Sequence, residues 1–163
     1  MLDYVKETLR SLTDIEKILI VDVETTGLKK DSEIIQFSAI GYHLFPNGSI
    51  REEERINYYI NPKQKIPIQV QKLTGLDNRF LSRMEDEETV FPLIHQFLCR
   101  NQGSLLAGYC VDFDIRMIRS MYLRQHVEFP EFVSLDVKKM AKDILLPDGL
   151  EQYIGAHSPS SAK

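Results

Sequence analysis

Two acidic side chains stand two residues apart in Asp22-Val23-Glu24, directly after the apolar run Ile18-Leu19-Ile20-Val21. On a β-strand, residues i and i+2 project to one face, so Asp22 and Glu24 leave the strand's C-terminal end together. Carboxylates held side by side repel unless a positive charge neutralises them. Hard oxygen donors of this kind favour Mg²⁺ or Mn²⁺. The plainer alternative is a strand end with two solvated acids. The residues that follow, Thr25-Thr26-Gly27-Leu28, add hydroxyl donors and a flexible turn. A third acid, Asp114, opens a predicted helix after the strand-like Leu105-Leu106-Ala107-Gly108. It is either an N-terminal acid favoured by the helix dipole or, with Asp112 capping instead, a further cation ligand.

The elements that must position these residues are legible in the apolar spacing. Leu2, Val5, Leu9 and Leu12 follow a helical period, predicting an accessory N-terminal helix within residues 1–16, ahead of a single domain over 17–163. Lys17–Glu24 reads as a buried central strand. Ile34–Phe45 and Glu53–Ile60 read as strands joined by a hairpin turn at Pro46-Asn47-Gly48. Predicted helices at Val70–Leu73, Glu88–Cys99, Asp114–Gln125 and Val137–Leu145 alternate with strands at Ser104–Tyr109 and Phe132–Leu135. A meander followed by alternating strand and helix predicts an α/β fold, a mixed sheet flanked by helices. The acidic run Glu85-Asp86-Glu87-Glu88 reads as a solvated helix start. His43, His95 and His126 read as structural or surface residues.

Composition narrows the classes. The chain has 163 residues, 43% hydrophobic and 27% charged, enough apolar material for a core, which excludes disorder and fibrous repeats. No apolar run reaches the ~20 residues of a membrane span, and no signal peptide is evident. Cys99 and Cys110 form neither a disulfide framework nor a zinc cluster, so a reducing, cytoplasmic setting is expected. A net charge of −4 is not the basic footprint of a protein that holds nucleic acid by charge alone. An acidic site loaded with divalent cations is cationic in use, so nucleic acid stays open as a substrate.

Taken in order, these motifs resemble the DnaQ-like 3′–5′ exonucleases, the DEDD family with a ribonuclease H-like fold. Asp22-Val23-Glu24-Thr25-Thr26-Gly27-Leu28 is similar to its first motif, and Asp31–Ile40 to its second strand. Ile66-Pro67 and Leu73-Thr74-Gly75-Leu76 resemble the loop and short helix that edge the site. Gly108-Tyr109-Cys110-Val111-Asp112-Phe113-Asp114 resembles the second motif, and the likeness runs from about Ile18 to His157. It implies release of nucleoside monophosphates from a single-stranded 3′ end, as DNA or RNA, with a DNA polymerase in proofreading as the implied partner. It implies two divalent cations, Mg²⁺ or Mn²⁺, ~4 Å apart. Asp22 would bridge them, Glu24 would hold one and orient the attacking water, Asp114 would hold the other, and His157 would be the general base. The backbone around Thr25-Thr26 would meet the terminal 3′-hydroxyl, with Gly27 also on the nucleic acid. Leu28 would wedge between the last two bases, with Leu73 and Phe113 also on the nucleic acid.

The sequence departs from this family at three places. Tyr109-Cys110 stand where members carry His-Asn. Ala162 stands five residues after His157, where the histidine-type members carry their fourth carboxylate. The tyrosine type fits less well, because Tyr153 is followed four residues later by His157. Finally, the closing helix is expected to be missing from this chain. The alternative is therefore a catalytically impaired domain that binds nucleic acid or a polymerase without cutting. Asp136 and Asp148 are the other acids that could complete the site. A haloacid dehalogenase-type phosphatase would need Asp at position 24.

Overall fold

The computed structural model describes residues 15–144. The predicted N-terminal helix, His157 and Asp148 lie outside the described residues. Five strands form one mixed sheet in the order β3-β2-β1-β4-β5. Strands β1 (Lys17–Thr25), β2 (Ile34–Leu44) and β3 (Ile50–Tyr59) make an antiparallel meander. Strands β4 (Leu105–Gly108) and β5 (Val133–Asp136) continue the sheet in parallel on the other side of β1. Helices are α1 (Ile68–Thr74), α2 (Asn78–Leu81), α3 (Glu87–Arg100), α4 (Val111–Arg124) and α5 (Val137–Ile144).

The two faces of β1 do different work. Leu19, Val21 and Val23 point into the main core, where they meet Phe37 and Ala39 of β2 and the apolar sides of α3 and α4. Ile20, Asp22 and Glu24 alternate onto the opposite face, and Ile20 is 43% exposed there. The strand is central in the sheet, but its burial is one-sided among the described residues, unlike the fully buried strand its apolar run suggests. A smaller cluster of Ile35, Ile66 and Leu81, with Val70, Leu76 and Phe80, ties α1 and α2 to the meander.

Several boundaries differ from the sequence reading for identifiable reasons. Strand β3 begins three residues before Glu53, because the turn is tight. Phe45 N–H donates to the Ser49 carbonyl, Asn47 Oδ1 accepts from Ser49, and Gly48 takes φ 82°. Helix α2 has no apolar period to announce it, being a single turn capped by Asp77. Asp86 does cap α3, accepting from Thr89 N–H, but its neighbour Glu87 is not solvated. At 5% exposure Glu87 accepts two bonds from the Arg124 guanidinium and one from Gln125, locking α3 to the end of α4. A paired buried carboxylate of this kind is costly to break from one side.

Gly108 closes β4 against β1. A Cβ at that position would lie 2.9 Å from the Val21 carbonyl oxygen and 3.1 Å from a Val111 methyl. Backbone on one side and the first residue of α4 on the other leave no room to yield. Gly108→Ala is expected to destabilise the fold by roughly 1–3 kcal/mol through overpacking. The urea midpoint should fall at constant slope; an unchanged midpoint would mean that β4 moves aside freely.

Candidate active site

Strand β4 pairs with β1 only at Ile18, Leu19 and Ile20. Beyond Ile20 that edge of β1 carries unpaired backbone groups, which must find partners elsewhere if buried. Asp114 supplies one: its Oδ1 accepts from Val23 N–H at 2.9 Å, in a buried bond spanning 91 residues of sequence. Val23 is the residue between Asp22 and Glu24. The bond therefore delivers a third carboxyl group to the strand end where the first two project.

The chain reaches Asp114 through a strained turn. Cys110, the residue before α4, takes the left-handed conformation (φ 60°, ψ 36°) with no side-chain cap. Such a conformation is unfavourable for a side chain other than Gly, Asn or Asp. Asp136 holds the turn: its Oδ1 accepts from Cys110 N–H and from Lys138 and Lys139 N–H, so it also caps α5. That buried Oδ1 is committed to backbone donors, which argues against Asp136 as the missing ligand. Helix α4 starts at Val111, earlier than the sequence reading, and places Asp114 inside its first turn. Asp112 does not cap it and instead pairs with the Lys139 ammonium.

The electrostatics reflect the crowding. Burial pushes the Asp114 carboxyl up to about 7, the Val23 N–H partly opposes this, and the charges of Asp22 and then Glu24 add to the rise. Glu24 is also raised, by burial first and by Asp22 second. Asp22 is thus near enough to disfavour charge on both Glu24 and Asp114. Among the described residues no three His, Cys, Asp or Glu side chains close into a preformed metal cage. An all-oxygen, mutually repelling set has donor chemistry that suits divalent cations, which makes Asp22, Glu24 and Asp114 the candidate holders.

The first motif beyond the acids is a self-bonded turn. Thr25 is buried and its hydroxyl donates to the Gly27 carbonyl at 2.6 Å. Thr26 N–H donates to the Glu33 carbonyl, and Thr26 Oγ1 accepts from Glu33 N–H. Both threonine side chains shape the turn and do not project from it. Leu28, by contrast, is 79% exposed, and Leu73 at the end of α1 is 67% exposed. Phe113 packs against the main core with the Arg116 guanidinium over its ring, so it is held as a packing residue. Tyr109 is exposed beneath the Lys138 ammonium. His95 bonds the Tyr122 hydroxyl across α3 and α4, on the core side of the sheet.

The exonuclease family RNase_T matches residues 19–151. The chain belongs to this exonuclease family. A relative described as 3′-5′ exonuclease DinG from Bacillus subtilis is 30% identical over 140 residues, covering 85% of this chain and 14% of its own length. DNA polymerase III subunit epsilon of Rickettsia prowazekii is 26% identical over 132 residues, 77% of this chain and 55% of that protein. The chain thus spans a minor part of the first relative and about half of the second. Escherichia coli exonuclease I in complex with a dT13 oligonucleotide shares the fold, with TM-score 0.63 and 19% identity over 75% of this chain and 28% of that one. A product-bound exonuclease I structure aligns with TM-score 0.68 at 19% identity, over 83% and 34%. The exonuclease domain therefore has the DnaQ-like, ribonuclease H-like architecture.

Sequence reasoning passes over Gln36, Ser38, Asn57 and Tyr59, which the sheet register places in rows with the acids. The available signal was the intrusion of Gln36 and Ser38 into the otherwise apolar Ile34–Ile40.

The raised Asp114 carboxyl has a measurable consequence in the metal-free domain. A carboxyl raised from its ordinary 3.8 to about 7 contributes stability that is complete below 3.8 and is lost as pH climbs through about 7. Asp114→Asn keeps an acceptor for Val23 N–H and removes the charge. In EDTA at pH 8 it is expected to raise stability by on the order of 2–4 kcal/mol, with little change at pH 4. Thermal melts at the two pH values check this; a lower melting temperature at pH 8 would show that another group already offsets the charge.

Proposed function

We propose that this exonuclease domain hydrolyses the 3′-terminal phosphodiester of single-stranded nucleic acid and releases nucleoside monophosphates. The observation that carries the reading is the Val23–Asp114 bond, which brings a carboxyl group from α4 to the strand end bearing Asp22 and Glu24. The description of the DinG relative as a 3′-5′ exonuclease supports the polarity, and the oligonucleotide bound to exonuclease I supports the substrate class. The epsilon relative supports a polymerase as a partner.

Asp22, Glu24 and Asp114 would hold the divalent cations, Mg²⁺ or Mn²⁺. When bound, the cations supply positive charge to the scissile phosphate and the leaving oxygen. Asp22 and Glu24, fixed by β1, would hold the cations at the strand end, and so set where the anionic phosphate can bind. Glu24, raised by burial, orients the attacking water by accepting from it. The proton lost by that water goes to His157, the base that the family resemblance implies. Leu28 stands free on its self-bonded turn to separate the last two bases, and Leu73 offers a second apolar contact. The Thr26 N–H is already engaged, so the terminal 3′-hydroxyl is met by the rest of the turn, at Gly27 and Leu28. Stacking and backbone contacts of this kind tolerate any base sequence.

The test is a 5′-labelled single strand incubated with the full chain and Mn²⁺. A ladder shortening stepwise from the 3′ end is expected, and EDTA should stop it. Asp22→Ala should slow shortening by roughly a hundredfold or more, without loss of fold, since it relieves repulsion. Shortening from the 5′ end, or in EDTA, overturns the reading. Binding of 3′-ended strands without shortening selects the impaired, binding-only domain instead.

A further inference from the structure

We infer that the upstream part of the substrate strand crosses the open face of the meander to a cationic, aromatic cavity beside α2. This rests on the exonuclease reading above and extends it to a second contact site. Directly paired residues on neighbouring strands share a face. The register gives two rows across β1, β2 and β3: Asp22–Ser38–Asn57 and Glu24–Gln36–Tyr59. Each row begins at a proposed cation ligand and continues through uncharged polar side chains.

The middle of the track is built from polar groups that bond one another. Asn57 Oδ1 accepts from Gln36 Nε2 at 2.9 Å and from Ser38 Oγ at 3.0 Å. Its Nδ2 donors are thereby left without a partner among the described residues, on an exposed side chain. They suit the carbonyl and phosphate oxygens of a nucleotide. At the far end Tyr59 is held edge-to-face on Phe80, ring centroids 5.0 Å apart. It lines a cavity of about 560 Å³ with Gly75, Leu76, Asp77, Arg79 and Arg83.

The arginines set the ligand's charge. Arg51, Arg55, Arg100 and Arg124 are all ion-paired, whereas Arg79 and Arg83 have no acidic partner among the described residues. Asp77, the acid in the cavity, is turned to the Phe80 N–H, which it caps at 2.6 Å. Two unpaired guanidinium groups beside an aromatic ring suit a phosphodiester and its base. Strands lie ~4.8 Å apart, so Tyr59 is about 10 Å across the sheet from Glu24. A strand with its 3′ end at the carboxylates reaches the cavity within a few nucleotides.

The experiment compares 5′-fluorescein dT2 and dT10 by anisotropy, with the full chain in Ca²⁺ to limit turnover. Arg79→Ala/Arg83→Ala changes two exposed side chains. It is expected to weaken dT10 about fivefold or more and to reduce the slope of log affinity against log salt by about 1.4, leaving dT2 unchanged. Equal weakening of both ligands, or of neither, overturns the track, as does a wild-type chain that does not bind dT10. Arginine-dependent dT10 binding by a chain that shortens nothing in Mn²⁺ keeps the track and removes the exonuclease reading. Shortening that persists with unchanged dT10 affinity in the double variant removes the track alone.

Discussion

The active face depends on one hydrogen bond, from Val23 N–H to Asp114 Oδ1. It forms where the β1–β4 ladder has run out, so it replaces a sheet bond with a carboxyl group. That substitution satisfies a buried donor and also concentrates negative charge. The donor stabilises the ionised Asp114, while burial, Asp22 and Glu24 oppose it, and burial is the larger effect. The balance leaves a carboxyl group poised near neutrality, which a divalent cation would convert to a ligand. Carboxyl groups so arranged oppose one another's charge, which is the electrostatic condition that suits a cation-binding site.

The backbone around this bond shows what holding it requires. Gly108 lets β4 approach the Val21 carbonyl closely enough for α4 to start beside β1. Cys110 then turns left-handed, and Asp136 pins its N–H while capping α5. The Glu87–Arg124 pair fixes the opposite end of α4 to α3. Helix α4 is thus clamped at both ends, and Asp114 in its first turn has little freedom. Strain at Cys110 is the local cost of a rigidly placed Asp114 carboxyl group, as expected where a position is over-determined by its surroundings.

What could be read in the sequence was whatever local period controls. The apolar run ending in Asp22-Val23-Glu24 announced both the strand and the shared face of the two acids, because strand alternation is a property of neighbours. The amphipathic spacing of α3 was equally plain. Asp114 was visible as an acid after a strand, but its bond to Val23 was not, since no local pattern encodes a partner 91 residues away. Glu87 reads as a solvated acid because its run, Glu85-Asp86-Glu87-Glu88, is uniformly charged; only the docking of Arg124 distinguishes it. The pairing of Ser38 with Asn57 and of Gln36 with Tyr59 emerges from cross-strand register, which the hairpin turn sets and the strand sequences alone do not.

The alternation within β1 also separates two kinds of consequence. Leu19, Val21 and Val23 are buried against α3 and α4, so changing them removes packing and lowers stability for the whole domain. Asp22 and Glu24 project to the other side, where their mutual repulsion opposes folding and their removal relieves it. One strand therefore carries core residues and candidate site residues in strict turn. Val23 is the exception. Its side chain belongs to the core while its amide holds Asp114, so it is the residue through which the packing of the sheet fixes the geometry of the site. A shift of β1 on the core would move all three carboxyl groups as a unit, because two ride on the strand and the third is bonded to it. Coupling of that kind preserves their relative placement when the surrounding structure relaxes, which a set of independently mounted ligands would not do.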